Sequence, residues 1–177
     1  MTRLAVALLI AMGAASTATF AADPPTNTNI AARPMMPAPS TEVFVNKAAA
    51  GNLFEIESSK LALSKTTSAK VRMFANEMVK DHSEAAAKFK QAVGDARLKM
   101  PAEALETPQQ TAMVDLKAEE GPTFDRDYIN QQYKAHVMTV DMFQAYADAG
   151  DNPRLTRFAQ EMLPILKTHL DRVTRLR

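Results

Sequence analysis

The sequence predicts an all-α protein: four long helices paired as two hairpins, joined by a long crossover that holds one short extra helix. Three observations predict it. The composition favours helix over sheet, with 11 methionines, only 5 glycines and no tryptophan in 177 residues. Apolar residues recur at steps of three or four over four long stretches, each marking one face of a helix. Short polar connections separate the first two stretches and the last two, which makes each pair antiparallel neighbours.

Residues 1–21 read as a secretory signal. Arg3 is the basic start, and Leu4–Ala15 is an apolar run shorter than the roughly 20 residues a membrane span needs. Thr19-Phe20-Ala21 offers a cleavage pattern before Ala22. The expectation is an exported protein of the periplasm or cell envelope, with no transmembrane helix in the mature chain. Residues 22–40 carry Pro24, Pro25, Pro34, Pro37 and Pro39, which forbid regular helix or strand and predict a flexible leader. Residues 41–177 then form the helical domain.

The first helix is predicted to start at Ser40 or Thr41, with Glu42 favourable in its first turn, and to run to about Ser64. Phe44, Ala48, Gly51, Glu55, Ser58 and Ala62 form its inward stripe, on which a glutamate is out of character. Ser68 caps the second helix, whose stripe is Val71, Ala75, Met78, His82, Ala85 and Phe89, and which ends at about Val93–Ala96. In the crossover, Thr107-Pro108 starts a short helix bearing Met113 and Leu116, and Gly121-Pro122 is expected to end it. Thr123 is the expected cap of the third long helix, with Phe124, Tyr128, Gln132, His136, Val140, Phe143 and Ala147 inward and Gly150 closing it in a left-handed conformation. Asn152-Pro153 opens the fourth, with Leu155, Ala159, Met162, Leu166, His169 and Val173 inward and Pro164 predicted to kink it.

One side chain of metal-ligand type therefore sits on the inward stripe of each long helix: Glu55, His82, His136 and His169. They use all three histidines of the chain. Counted from the turns, the partners within each hairpin differ in height by roughly 7 Å, a mismatch that kinks and side-chain reach can absorb. Histidine and carboxylate in a bundle core can bind a divalent transition metal such as zinc, iron, copper or manganese. The same four groups can instead form a hydrogen-bonded network that fixes helix pairing. Asp81, beside His82, lies off the main stripe and is expected in solvent. Asp125 and Tyr128 are read as starting and packing the third long helix.

Composition excludes several functions. Removing residues 1–21 removes one basic residue, Arg3, and leaves 20 basic against 20 acidic side chains, so no electrostatic footprint for nucleic acid remains. The absence of cysteine excludes disulfides, thiolate metal sites, a cysteine nucleophile and a lipoprotein anchor. No glycine-rich phosphate loop, G-x-S-x-G or H-E-x-x-H occurs. The residues three before the histidines are Val79, Tyr133 and Leu166, so the Glu-x-x-His pairs of di-iron bundles are missing too. Nothing in the sequence assigns an enzyme activity.

An ordered set of motifs over roughly residues 41–176 resembles the bacterial domain of unknown function 4142 family. These are F-x-x-x-A-A-x-G-x-x-E-I from Phe44, V-R-M-F-A-N-E-M-V-K-D-H ending at His82, Phe124-Asp125-x-x-Tyr128 with His136, and Leu163-Pro164-x-x-x-x-His169-Leu170. The resemblance implies a ferritin-like four-helix fold in an exported, envelope-associated protein, and no established activity. The family's recurrent Glu and His positions fall here on Glu55, His82, His136 and His169. The functional expectation is a core metal site serving metal handling or stress response in the envelope. The alternative is an envelope interaction protein whose polar core is structural. Sequence leaves the protein partner and homo-oligomerisation open.

Overall fold

The computed structural model describes residues 37–177, so the expected signal and most of the leader lie outside the described residues. Within them the chain forms α1 (Thr41–Lys65), α2 (Ala69–Asp95), α3 (Thr107–Ala118), α4 (Gly121–Ala149) and α5 (Pro153–Thr174). Four of these are long and one is short, as the periodicity predicts. α1 packs on α2 and on α4, and α5 on α4 and on α2, which closes a four-helix bundle. α3 rests in the crossover against α1 and α4. No described helix is long and apolar enough to cross a membrane.

Local chemistry explains most helix ends. Ser40 accepts from the Val43 amide and Ser68 from the Val71 amide, each capping its helix. Glu106 and Gln109 reciprocate across the first turn of α3, a capping box one residue earlier than the Thr107 start. Asn152 accepts from the amides of Arg154 and Leu155 at 3.0 and 3.3 Å.

Two details differ from expectation. Gly121-Pro122 opens α4 rather than ending α3, with Glu120 at the cap and Pro122 in the first turn, where its missing N–H is not needed. Gly121 has φ 59°, the left-handed region in which glycine carries no side-chain penalty. Gly150 is extended, with φ −65° and ψ 143°, not left-handed. Glycine is required there for space, because a Cβ would sit 2.5 Å from the Tyr146 carbonyl oxygen and 2.6 Å from its ring. The left-handed helix end belongs instead to Arg97, φ 57°, after α2, where Leu98 N–H donates to the Val93 carbonyl at 3.0 Å. As the sequence predicts, Pro164 lies inside a single α5.

Beside a small cluster of Phe54, Ala112 and Met113, the core has two larger apolar clusters. One gathers Phe44, Phe89, Phe143, Tyr146, Leu155 and Phe158 at the end of the bundle nearest the α4–α5 turn. The other gathers Phe74, Met78, Leu116, Phe124, Tyr128 and Val173 toward the α1–α2 turn. A polar layer lies between them. On α1, Glu55 stands between Ala48 of the first cluster and Ala62 of the second; on α5, His169 stands between Leu166 and Val173. This placement puts ligand-type groups where water is excluded from both sides.

Candidate metal centre

The four predicted residues meet. Glu55, His82, His136 and His169 are 1%, 4%, 0% and 2% exposed. The imidazole centroids form a near-equilateral triangle, with separations of 5.3 Å (His82–His169), 5.5 Å (His136–His169) and 5.7 Å (His82–His136). One nitrogen from each ring lies within 4.8 Å of one nitrogen of both others. The stagger counted along the sequence is thus absorbed by the packing, and histidines from α2, α4 and α5 share a level.

Glu55 does not join that trio of nitrogens. Its Oε2 lies 3.0 Å from Nδ1 of His82 and its Oε1 3.4 Å from Nδ1 of His136. The carboxyl group thus lies behind two of the rings, on α1. Each ring has further outer partners. Nδ1 of His82 is 3.0 Å from Oδ1 of Asn52. Nδ1 of His136 is 2.9 Å from the Gln132 carbonyl oxygen. Nε2 of His169 is 3.1 Å from Oδ2 of Asp81.

These partners fix the tautomers. A carbonyl oxygen only accepts, so His136 carries its proton on Nδ1 and leaves Nε2 bare. Partial burial works to raise the Asp81 carboxyl, but hydrogen bonds with His169 and Lys80 outweigh it and hold the group below its ordinary range. It is a carboxylate, so Nε2 of His169 donates and Nδ1 is bare. For His82, Nδ1 donates to the Asn52 side-chain oxygen, which only accepts. The nitrogens left over, Nε2 of His82, Nε2 of His136 and Nδ1 of His169, are buried and have no hydrogen-bond partner in the protein.

Burial also keeps the rings neutral. It lowers His136 to about 4 against a rise from its bond to Gln132. It drives His82 well below the usual imidazole value, helped by the neighbouring His136 and His169. It lowers His169 in spite of the opposing pull of Asp81. Burial likewise pushes Glu55 up to about 8. Three neutral imidazoles with inward lone pairs are what a metal ion requires of histidine.

Asp81 corrects an expectation: it is half-buried and bonded to His169, not free in solvent. Asn52 was not predicted to take part. Its signal was faint, a polar residue one position along from the inward Gly51 and three before Glu55. Tyr128 is fully buried and pairs with Ser59 at 2.8 Å, a packing role as expected. Asp125 lies in the first turns of α4.

The motifs prove to be those of a single family: residues 26–176 match the one described as Domain of unknown function (DUF4142). The chain belongs to the DUF4142 family. The description assigns no activity. No curated protein matches the sequence. Among solved structures, CopM in the Cu(II)-bound form is similar to this DUF4142 chain, with a TM-score of 0.64 and 14% sequence identity. The match covers 78% of this chain and 96% of CopM. At that identity the likeness establishes a shared helical-bundle fold, and the chemistry has to be argued from the residues here.

Proposed function

We propose that this DUF4142 protein binds one divalent transition-metal ion in its core, through His82, His136 and His169, with Glu55 and Asp81 as the carboxyl groups that orient the rings. Its role on this reading is metal handling or stress response in the cell envelope after export. The observation that carries the reading is that three histidines whose rings meet each keep one buried nitrogen without a partner. A structural polar layer satisfies its own atoms, since a buried unpaired acceptor is costly. A single water brings two hydrogens and leaves one of three lone pairs unmet. A metal ion meets all three.

The donor set fits the group. Three neutral imidazoles suit zinc, copper, iron or nickel. Carboxyl groups on the far nitrogens are the common supports of metal-ligating histidine, fixing ring orientation and raising ligand basicity. The bound ion would supply Lewis acidity or, for copper or iron, a redox couple. The protein contributes rigid placement on three helices and a dry surround of Phe74, Met78 and Leu166. Copper is the first metal to test, because the structurally similar CopM was captured with Cu(II). Glu55, expected from the sequence to be a fourth ligand, is on this reading a support, because its Oε2 lies 3.0 Å from the outer Nδ1 of His82.

Thermal melts test the reading. Metal that binds the folded bundle and not the unfolded chain raises the melting temperature. The wild type should show that rise with copper, zinc, manganese or ferrous iron, and His136→Ala should lose it. If the polar layer is only structural, no metal shifts the wild type at any pH between roughly 6 and 8, where imidazole ordinarily loses its proton. His136→Ala then costs about 1–3 kcal/mol with or without metal, by stranding buried partners.

A further inference from the structure

An ion destined for three fully buried rings has to cross the wall of the bundle, and the wall is polar in two places. Between α1 and α4 a narrow cavity reaches Glu55 and His82. It is lined by Lys47, Asn52 and Thr139, and by Phe89, Phe143 and Phe158. The Lys47 ammonium, half exposed and 3.3 Å from Glu106, and the aromatic lining both disfavour a cation there. Between α2 and α5 the wall has the opposite character. Glu77 and Asp81, one turn apart on α2, bring carboxylate oxygens within 4.8 Å of each other and of a His169 ring nitrogen. Their side chains are 22% and 25% exposed, enough to meet solvent while touching the core.

His169 belongs to both groups. Its Nε2 bonds Asp81, its Nδ1 is buried and unpartnered, and the ring meets those of His82 and His136. In this structure the outer carboxylates are engaged by exposed surface cations: Glu77 by Arg172, and Asp81 by Lys80 at 3.1 Å, which also reaches Glu84 at 3.1 Å. Exposed ion pairs of this kind are weak and exchange readily. On the reading of the core as a metal site, we infer that Glu77 and Asp81 form the port through which a divalent metal ion reaches the three histidines, displacing Arg172 as it enters. The carboxylates draw the ion from solvent and shed part of its water, and it then passes the edge of His169 into the trio.

The port is a claim about rate, and Glu77 and Arg172 allow it to be separated from the site itself, because neither touches a core ring nitrogen. Metal-free protein is mixed with cupric chloride at low salt, and loading is followed by quenching of tyrosine emission. The chain has 3 tyrosines and no tryptophan. Tyr128 packs 6.3 Å from Phe74, which itself lies 6.4 Å from His136, so copper in the core is close enough to quench it. Affinity is measured separately by competition with a chelator, and folding by melts of the metal-free variants. Glu77→Gln should load about tenfold more slowly, as expected when charge that steers an ion is removed. Arg172→Ala should load faster than wild type, and affinity should be unchanged in both. Equal rates in all three proteins with full copper uptake overturn the port and leave the core site standing. A loss of affinity in Glu77→Gln that matches its loss of rate makes Glu77 part of the bound site and overturns the port. No copper uptake by the wild type overturns the core reading, and the port with it.

Discussion

Glu55 is the residue on which the site's chemistry turns. A lone carboxyl group, 1% exposed between two apolar clusters, is an expensive thing to bury, and its raised pKa of about 8 records that cost. Its return is contact with two imidazoles at once, at 3.0 and 3.4 Å. Glu55→Gln keeps the shape and removes the capacity for charge. It should lower metal affinity by about 10–100-fold, the usual range for losing a support of a ligating histidine, without unfolding the metal-free protein. Competition with a chelator measures this, and an affinity equal to wild type would show that the carboxyl group has no part in holding metal. Glu55 and the three histidines were legible in the sequence because each put a ligand-type side chain on an inward, mainly apolar stripe. Asp81 was not. At 100° per residue it lies beside the stripe rather than on it, and only the close approach of α5 brings His169 to it.

At the scale of the elements, inward periodicity placed the long helices and caps at Ser40, Ser68 and Asn152 marked three starts, while α4 is capped by Glu120 and not Thr123, and errors fell at two glycines. Gly150 was read through its backbone freedom, yet its φ of −65° is open to any residue. What demands glycine is Tyr146, which is fully buried, stacked on Phe44 at 3.9 Å and hydrogen-bonded through its hydroxyl to Thr41 at 2.6 Å. Such neighbours are tertiary and leave no mark in a local pattern. Because Tyr146 cannot yield without losing those contacts, Gly150→Ala should destabilise by about 1–3 kcal/mol through overpacking. Urea unfolding measures it, and an unchanged midpoint would mean the α4–α5 turn relaxes freely. Gly121-Pro122 is read from the sequence as a stop, but proline serves the first turn of a helix as well as it ends one. The structure uses it as a start.

For the whole molecule, the buried layer makes stability of the metal-free protein depend on pH in two opposed ways. Glu55 is raised in the fold, from an ordinary 4.5 to about 8. The unfolded chain loses that proton first, so stability falls as pH rises from 4.5 to 8. His136 is lowered, from 6.5 to about 4, and His82 and His169 are lowered as well. There the unfolded chain gains protons first, so stability falls as pH drops below 6.5. Three histidines outweigh one glutamate in the window they share, which places the maximum near pH 6.5. Urea midpoints at several pH values with chelator present should trace that dome, and a steady rise through pH 8 would contradict the burial of Glu55 as a neutral acid.

The same layer carries the central claim, that three imidazoles on α2, α4 and α5 converge on one ion. X-ray absorption at the copper edge of the Cu(II)-loaded protein reads the ligands directly. The account predicts one copper per chain with multiple-scattering features of three imidazoles, at nitrogen distances of about 2.0 Å by analogy with zinc–imidazole bonds. Copper bound by fewer than three imidazoles, or none retained after removal of free metal, would contradict it.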